Sequence, residues 1–159
     1  MLQKQLVSGE KKVLRSKILK IETTKFGTIQ IEEEKIITMP ACMLGFQGRK
    51  RFIVVDREES RPFYWYQCVD DPALCFVIIN PYLFKPDYSV DLQPTLREMS
   101  WEADGEESLE LYVVVNASNG APDKITANLI GPLLINIKRW EAVQIVIHNN
   151  SYSHKYSIF

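Results

Sequence analysis

The sequence predicts an all-β protein: one mostly antiparallel, β-barrel-like domain with at most one or two short helices. Short runs of β-branched and aromatic residues recur along the chain between frequent turn signals, a pattern typical of barrels and sandwiches. No stretch shows the periodicity of an amphipathic helix of ordinary length. With 159 residues, 46% of them hydrophobic and 25% charged, the chain is long enough to bury a core without disulfides or metal.

The first two strands are predicted as a hairpin. Residues 17–24 and 28–32 flank the turn Lys25-Phe26-Gly27, and alternation in the second run places Ile29 and Ile31 on one face. Further strands are predicted at residues 36–39, 52–56, 63–69, 74–79, 109–115, 133–137 and 143–147. A short edge strand is expected at 89–92, one or two helical turns at 94–99, and a short strand or turn at 125–130.

Charge is unevenly distributed along the chain. Of the net charge of -1, residues 1–20 carry +5, six basic side chains against one glutamate, and the remainder therefore carries -6. We predict residues 1–17 as a basic N-terminal extension and residues 18–159 as the folded domain. An acidic body disfavours general nucleic-acid binding and favours a basic protein partner. The alternative is an RNA-binding β-barrel protein that uses the basic tail.

The cysteines and the apolar runs bear on the cellular compartment. Cys42, Cys68 and Cys75 are odd in number and lack the spacing of a zinc site, which predicts reduced thiols. No apolar run approaches the roughly 20 residues that cross a bilayer, and the first residues contain no apolar leader core. We therefore predict a cytoplasmic protein that does not enter a membrane.

No group of residues in the sequence predicts an enzyme. His148 and His154 have no cysteine near them in sequence, and the pair Asp70-Asp71 precedes a proline, which is typical of a turn. Cys68 with His148 as its base is the remaining nucleophile candidate, but nothing nearby in sequence predicts a lowered thiol pKa. Phosphate-binding glycine loops and nucleophile elbows are also missing. We predict no catalytic activity, no metal and no cofactor.

Residues 80–88, N-P-Y-L-F-K-P-D-Y, are the stretch of greatest functional interest, and we call them the aromatic loop. Its two prolines withhold two N–H donors, so it cannot form a regular central strand or helix interior. It nevertheless contains four large apolar side chains. Two interpretations remain open from these residues: a lid whose side chains fold onto the core, and a stiff surface loop that grips another protein.

Five stretches, taken in order, resemble the family of the flagellar assembly factor FliW. They are K-I-E-T-T-K-F-G-T-I-Q-I-E-E-E-K-I-I-T-M-P, L-G-F, D-D-P-A-L-C-F-V-I-I-N-P-Y-L-F-K-P-D-Y, T-A-N-L-I-G-P-L-L-I-N and Y-S-H-K-Y. The resemblance covers about residues 18–157. Two departures stand out: Met39-Pro40-Ala41-Cys42 replaces the Phe-Pro-x-Gly that the family usually shows, and Trp140 lies where the family tends to be polar.

The resemblance implies a non-enzymatic protein that binds newly made flagellin and the small RNA-binding regulator CsrA. In that family, binding of CsrA relieves its repression of flagellin mRNA, and accumulating flagellin removes the factor and restores repression. The resemblance assigns partner binding to Asn80, Pro81, Phe84, Lys85, Asp87 and Tyr88. We expect the last four of these to face the partner and Tyr82 or Leu83 to point inward. Direct contact with nucleic acid or membrane is not expected.

Overall fold

Eleven strands and one α-helix make up the regular structure in the computed structural model, which describes residues 17–117, 124–148 and 151–158. The strands are β1 (Ile18–Thr23), β2 (Gly27–Glu32), β3 (Ile37–Thr38), β4 (Arg51–Val55), β5 (Tyr64–Cys68), β6 (Cys75–Ile79), β7 (Leu109–Ala117), β8 (Ile125–Ala127), β9 (Leu133–Asn136), β10 (Glu141–Gln144) and β11 (Tyr156–Ser157). Helix α1 (Gln93–Met99) lies between β6 and β7. Among the described residues, no helix is long and apolar enough to span a bilayer.

Seven of the strands close into a barrel. Strand β7 pairs with β6 and also with β9, which completes a ring in the order β7, β6, β5, β4, β3, β10, β9. Every pair in the ring is antiparallel except β3 with β10, which run parallel. The second half of β7 pairs with β8, which in turn pairs with β11. The predicted all-β, mostly antiparallel and barrel-like fold is confirmed.

The barrel interior is filled by large apolar side chains from all around the ring. Phe52 of β4 stacks on Tyr66 of β5 with ring centroids 4.3 Å apart, and both side chains are fully buried. Ile78 of β6 and Leu133 of β9 belong to the same cluster. Alternation along each strand directs the neighbouring residues to the outer face of the barrel.

Two satellite clusters cover parts of that outer face. On one of them, Ile21 and Ile31 of the β1–β2 hairpin pack with Ile53 and Val55 of β4. On the other, the aromatic loop and residues 151–158, which we call the C-terminal segment, pack on the outer face of β6 and β7. The second cluster holds the candidate site in place.

Most element predictions are confirmed, the strand predicted at 143–147 lies instead at Glu141–Gln144, and one prediction is wrong. The hairpin forms with Gly27 at φ +67° in its turn, and the predicted helix is α1, which ends at Ser100 in the left-handed region. The edge strand expected at 89–92 does not form. Instead, the Ser89 backbone N–H donates to the Tyr152 hydroxyl at 2.8 Å, so a side chain takes the place of a strand partner.

The unusual Trp140 is a packing residue. Its backbone lies in the left-handed region at φ +53°, and its carbonyl accepts the Thr38 N–H at 2.9 Å. Its side chain is half-buried against the barrel core. The predicted basic extension, residues 1–17, lies outside the described residues except for Lys17, so the RNA-binding alternative remains a prediction.

Candidate partner-binding site

Local hydrogen bonds fix the backbone of the aromatic loop immediately after β6. The Asn80 side chain accepts the Tyr82 N–H at 2.9 Å, which begins a 3-10 turn over Pro81–Leu83. The Lys85 N–H then donates to the Pro81 carbonyl at 2.9 Å, and the Tyr88 N–H to the Lys85 carbonyl at 3.0 Å. Because the two prolines also restrict φ, the loop has few conformations to lose on binding.

Tyr88 points into the protein, against the expectation that it faces outward, whereas its role in partner binding stays a prediction. Its side chain is only 3% exposed, and its hydroxyl donates to the Leu129 carbonyl at 2.6 Å. Burial raises the pKa of Tyr88, which keeps the hydroxyl protonated as a donor. The ring contacts Tyr152 of the C-terminal segment, with centroids 5.0 Å apart. Tyr88 therefore anchors the loop.

Phe84 and Lys85 also turn toward the C-terminal segment, against the expectation that they face outward. The Phe84 ring stacks on Tyr156 at 5.8 Å. The Lys85 ammonium lies 5.4 Å from the centroid of Tyr156 and 5.8 Å from that of Tyr152, and only 19% of the Lys85 side chain is exposed. These contacts attach the loop to the C-terminal segment.

Five residues of the loop are exposed to solvent: Asn80, Tyr82, Leu83, Pro86 and Asp87. Tyr82 is 44% and Leu83 60% exposed, so the prediction that one of them points inward is wrong. The Asp87 side chain is 81% exposed, although its Oδ1 lies 3.2 Å from the Lys85 ammonium. Phe84 and Tyr88 thus cover the outer face of the barrel, as a lid would, whereas Tyr82 and Leu83 form an exposed apolar tip.

Tyr152 and Tyr156 are site residues that sequence reasoning missed. The Tyr152 ring lies beside the Lys85 ammonium, and the Tyr156 ring stacks on Phe84. The Tyr152 hydroxyl also accepts the Ser89 N–H. Their signal in the sequence was the Y-S-H-K-Y motif, which spaces two tyrosines four residues apart near the end of the chain. Nothing in that spacing indicated that they would meet residues 80–88.

The candidate nucleophile, Cys68, lies in a setting that opposes activation of its thiol. Cys68 is fully buried, and burial raises the pKa of its thiol, which opposes nucleophilic activation. His148 is exposed. Asp71 accepts the Ala73 N–H in a turn and pairs with Arg49. In the part of the chain that the structure describes, no group of three or more His, Cys, Asp or Glu side chains could hold a metal ion.

The connection between α1 and β7, residues 100–108, is rich in acidic residues and contains a buried carboxylate. Asp104 is 6% exposed and accepts hydrogen bonds from Asn136 Nδ2 at 2.8 Å and Arg139 Nε at 2.6 Å. The Arg139 guanidinium beside it lowers the pKa of Asp104. The Asp104 carboxylate therefore makes its hydrogen bonds inside the protein, whereas the glutamates near it in sequence are exposed on the surface.

Together, the closed barrel, the buried Cys68 thiol and the loop with an exposed apolar tip define a class of protein: a small β-barrel with an ordered surface loop. A family model described as FliW protein matches residues 20–158. The chain therefore belongs to the FliW family.

Individual relatives agree with the family match. The flagellar assembly factor FliW of Geobacter sulfurreducens is 41% identical over 141 residues, which span 89% of this chain and 87% of that protein. That of Geotalea uraniireducens is 39% identical, over 89% of this chain and 85% of its own. A crystal structure of the flagellar assembly factor FliW matches with a TM-score of 0.78 at 34% identity, covering 89% of this chain and 97% of that one. These relatives are named for assembly, a role that is not catalytic.

Proposed function

We propose that this protein is a flagellar assembly factor that binds newly made flagellin as a chaperone and binds the translational regulator CsrA directly. Binding of CsrA frees flagellin mRNA for translation in the cytoplasm. As flagellin accumulates, it draws the protein away from CsrA, and repression returns. The observation that carries the proposal is membership of the FliW family across residues 20–158, supported by an aromatic loop whose tip is exposed.

Within the proposal, the six predicted loop residues divide into two roles. Asp87 contacts the partner directly, and Tyr82 and Leu83 join it because they are exposed. The remaining predicted residues position the loop. They are Asn80 and Pro81, which set the turn, and Phe84, Lys85 and Tyr88, which attach it to the protein.

Rigidity of the loop is the physical basis for its binding role. A loop that is already ordered loses little conformational entropy on association, so more of the contact energy appears as affinity. Tyr82 supplies amphipathic contact area, which is the side-chain chemistry enriched in binding hot spots. The Asp87 carboxylate adds a charge that fixes the register of a basic partner.

Co-purification tests this function. The full chain, tagged and expressed in a flagellated host that makes both partners, is expected to retain flagellin and CsrA. Tyr82→Ala and Asp87→Ala are each expected to lose flagellin, CsrA or both. Their free energies of unfolding, measured by thermal denaturation, should stay within about 0.5 kcal/mol of wild type, because both side chains are solvent-exposed.

Glu59→Ala provides the matched control. Glu59 is an exposed acidic residue in the 3-10 turn Glu58–Ser60, between β4 and β5, and its removal is expected to leave both partners bound. Normal binding by both loop variants would overturn the assignment to the aromatic loop. A wild-type protein that retains neither flagellin nor CsrA would overturn the function itself.

A further inference from the structure

A groove runs beside the aromatic loop, between that loop, helix α1 and the first half of strand β7. Its volume is about 600 Å³. Leu96 of α1 and Leu111 and Tyr112 of β7 form much of its apolar surface, and Tyr82 and Leu83 of the loop form one side. The groove therefore joins a concave apolar surface to the exposed tip of the loop.

The exposure of that tip distinguishes the groove from a packing defect. Leu83 is 60% and Tyr82 44% exposed, and both line the groove. Large apolar side chains left in water beside an apolar concavity mark an interaction surface rather than an unfilled core.

The charged residues in and around the groove determine which kinds of ligand it can bind. The charged residues that line it are both acidic, Glu106 and Glu110, and three further exposed glutamates lie nearby in sequence, Glu98, Glu102 and Glu107, against one exposed arginine, Arg97. Among residues 17–117, 124–148 and 151–158, no lysine or arginine forms an ion pair with any of these five glutamates. Their negative charge is free to meet a cation from outside.

We infer that this groove receives an apolar segment of a protein partner that is flanked by basic residues. The inference rests on the proposed function, and it specifies which kind of partner segment binds: an apolar one flanked by basic residues. The apolar side chains of the segment are buried against Leu83, Leu96 and Leu111, and its lysines or arginines lie beside Glu106 and Glu110.

The same charges disfavour the other occupants. A fatty acid or a nucleic acid would bring carboxylate or phosphate to an acidic rim, at a cost in repulsion. A second copy of this chain, docked through the same face, would bring its own acidic rim against the first. A basic, apolar segment satisfies both the surface and the rim.

Fluorescence anisotropy with the full-length protein tests the inference. The probes are two dye-labelled synthetic peptides with the same central leucines, one with lysines at both ends and the other with glutamates. We expect the lysine peptide to bind, with an affinity that falls as salt rises, and the glutamate peptide to bind at least about tenfold more weakly.

Variants place that binding in the groove. Leu83→Ser is expected to weaken the lysine peptide about tenfold, whereas Val146→Ser, at an apolar side chain of similar exposure (49%) outside the groove, leaves it unchanged. The double variant Glu106→Gln, Glu110→Gln is expected to weaken the same peptide and flatten its salt dependence. The glutamine at 110 can still accept the Tyr112 hydroxyl hydrogen bond that Glu110 accepts at 3.0 Å.

The chain offers a closely matched charge control. Glu58-Glu59-Ser60 and Glu106-Glu107-Ser108 have the same sequence, and both form 3-10 turns. Because neither Glu58 nor Glu59 lines the groove, Glu58→Gln with Glu59→Gln is expected to bind the lysine peptide as wild type does. Absence of binding, equal affinity for the two peptides, or an unaffected Leu83→Ser variant would overturn the inference. Self-association that Leu83→Ser abolishes would assign the groove to a second copy and overturn it as well.

The same variants, assayed against purified flagellin and CsrA, separate this inference from the proposed function. If wild type binds either protein and the groove variants bind it equally well, the function stands and the groove assignment falls. If wild type binds neither protein but binds the lysine peptide in the groove, the proposed function is wrong and the groove assignment stands.

Discussion

Tyr88 differs from the other aromatic residues of the aromatic loop because its ring and its hydroxyl are both accommodated inside the protein. The ring belongs to the satellite cluster on β6 and β7, and the hydroxyl donates to the Leu129 carbonyl. The loop is therefore held at the end farthest from β6 by a buried hydrogen bond, which leaves Tyr82 and Leu83 free to remain exposed.

Removal of that hydroxyl isolates the hydrogen bond from the packing of the ring. Tyr88→Phe is expected to lower the free energy of unfolding by about 1–3 kcal/mol, because the Leu129 carbonyl loses its donor in a buried setting. Urea denaturation near neutral pH measures the change. Tyr82→Phe, at an exposed ring, is the control and should change stability by less than about 0.5 kcal/mol. Equal stability of Tyr88→Phe and wild type would show that the hydroxyl contributes nothing as an anchor.

At the scale of elements, the aromatic loop and the C-terminal segment form one unit although they are distant in sequence. Phe84 stacks on Tyr156, and the Lys85 ammonium lies over both Tyr152 and Tyr156. A cation over two aromatic rings is favourable where it is partly shielded from water, as the Lys85 side chain is. The orientation of the aromatic loop therefore depends on its contacts with the C-terminal segment.

A double-mutant cycle measures this attachment. Lys85→Met and Tyr156→Leu, made singly and together, are expected to show a coupling energy of about 0.5–1 kcal/mol in urea denaturation, because each removes one side of the cation–ring contact. Lys25 provides the control, since its ammonium lies 4.5 Å from the Trp65 ring centroid, in a different cluster. Lys25→Met should combine additively with Tyr156→Leu. Additivity in the Lys85 cycle would contradict the attachment.

The contrast between elements and side-chain directions shows what sequence can predict here. Alternation in residues 28–32 is a local property, so it predicted the hairpin and the shared face of Ile29 and Ile31, which pack in one cluster. The direction of Tyr88 depends on Leu129, and that of Phe84 on Tyr156. Because these partners come from distant parts of the chain, the composition of residues 80–88 could locate the candidate site but not its exposed face.

At the scale of the whole molecule, Asp104 links two connections of the barrel. It lies in the connection from α1 to β7 and binds Asn136 and Arg139 at the turn between β9 and β10. The Arg139 side chain is 46% exposed, whereas that of Asp104 is 3% exposed. A buried carboxylate that loses its charge leaves its donors poorly matched, so we expect the closure of the barrel at this end to weaken in acid.

Acid titration tests this sensitivity. The hydrogen bond from Arg139 lowers the pKa of Asp104 in the folded protein. A carboxyl group with a lowered folded-state pKa adds stability above its unfolded pKa of about 3.9, and this stability is lost as pH falls through the folded-state value. Wild type is therefore expected to lose more stability between about pH 5 and pH 2 than Asp104→Asn, which cannot titrate at this position.

Urea midpoints across this pH range supply the measurement, and Asp56→Asn supplies the control. The pKa of Asp56 is also lowered, by its hydrogen bond with Arg61, but both side chains of that pair are exposed, so solvent screens the interaction. Asp56→Asn should follow the wild-type curve closely, whereas Asp104→Asn should start from lower stability and decline less steeply. Parallel curves for wild type and Asp104→Asn would assign the acid sensitivity of the protein to other carboxylates.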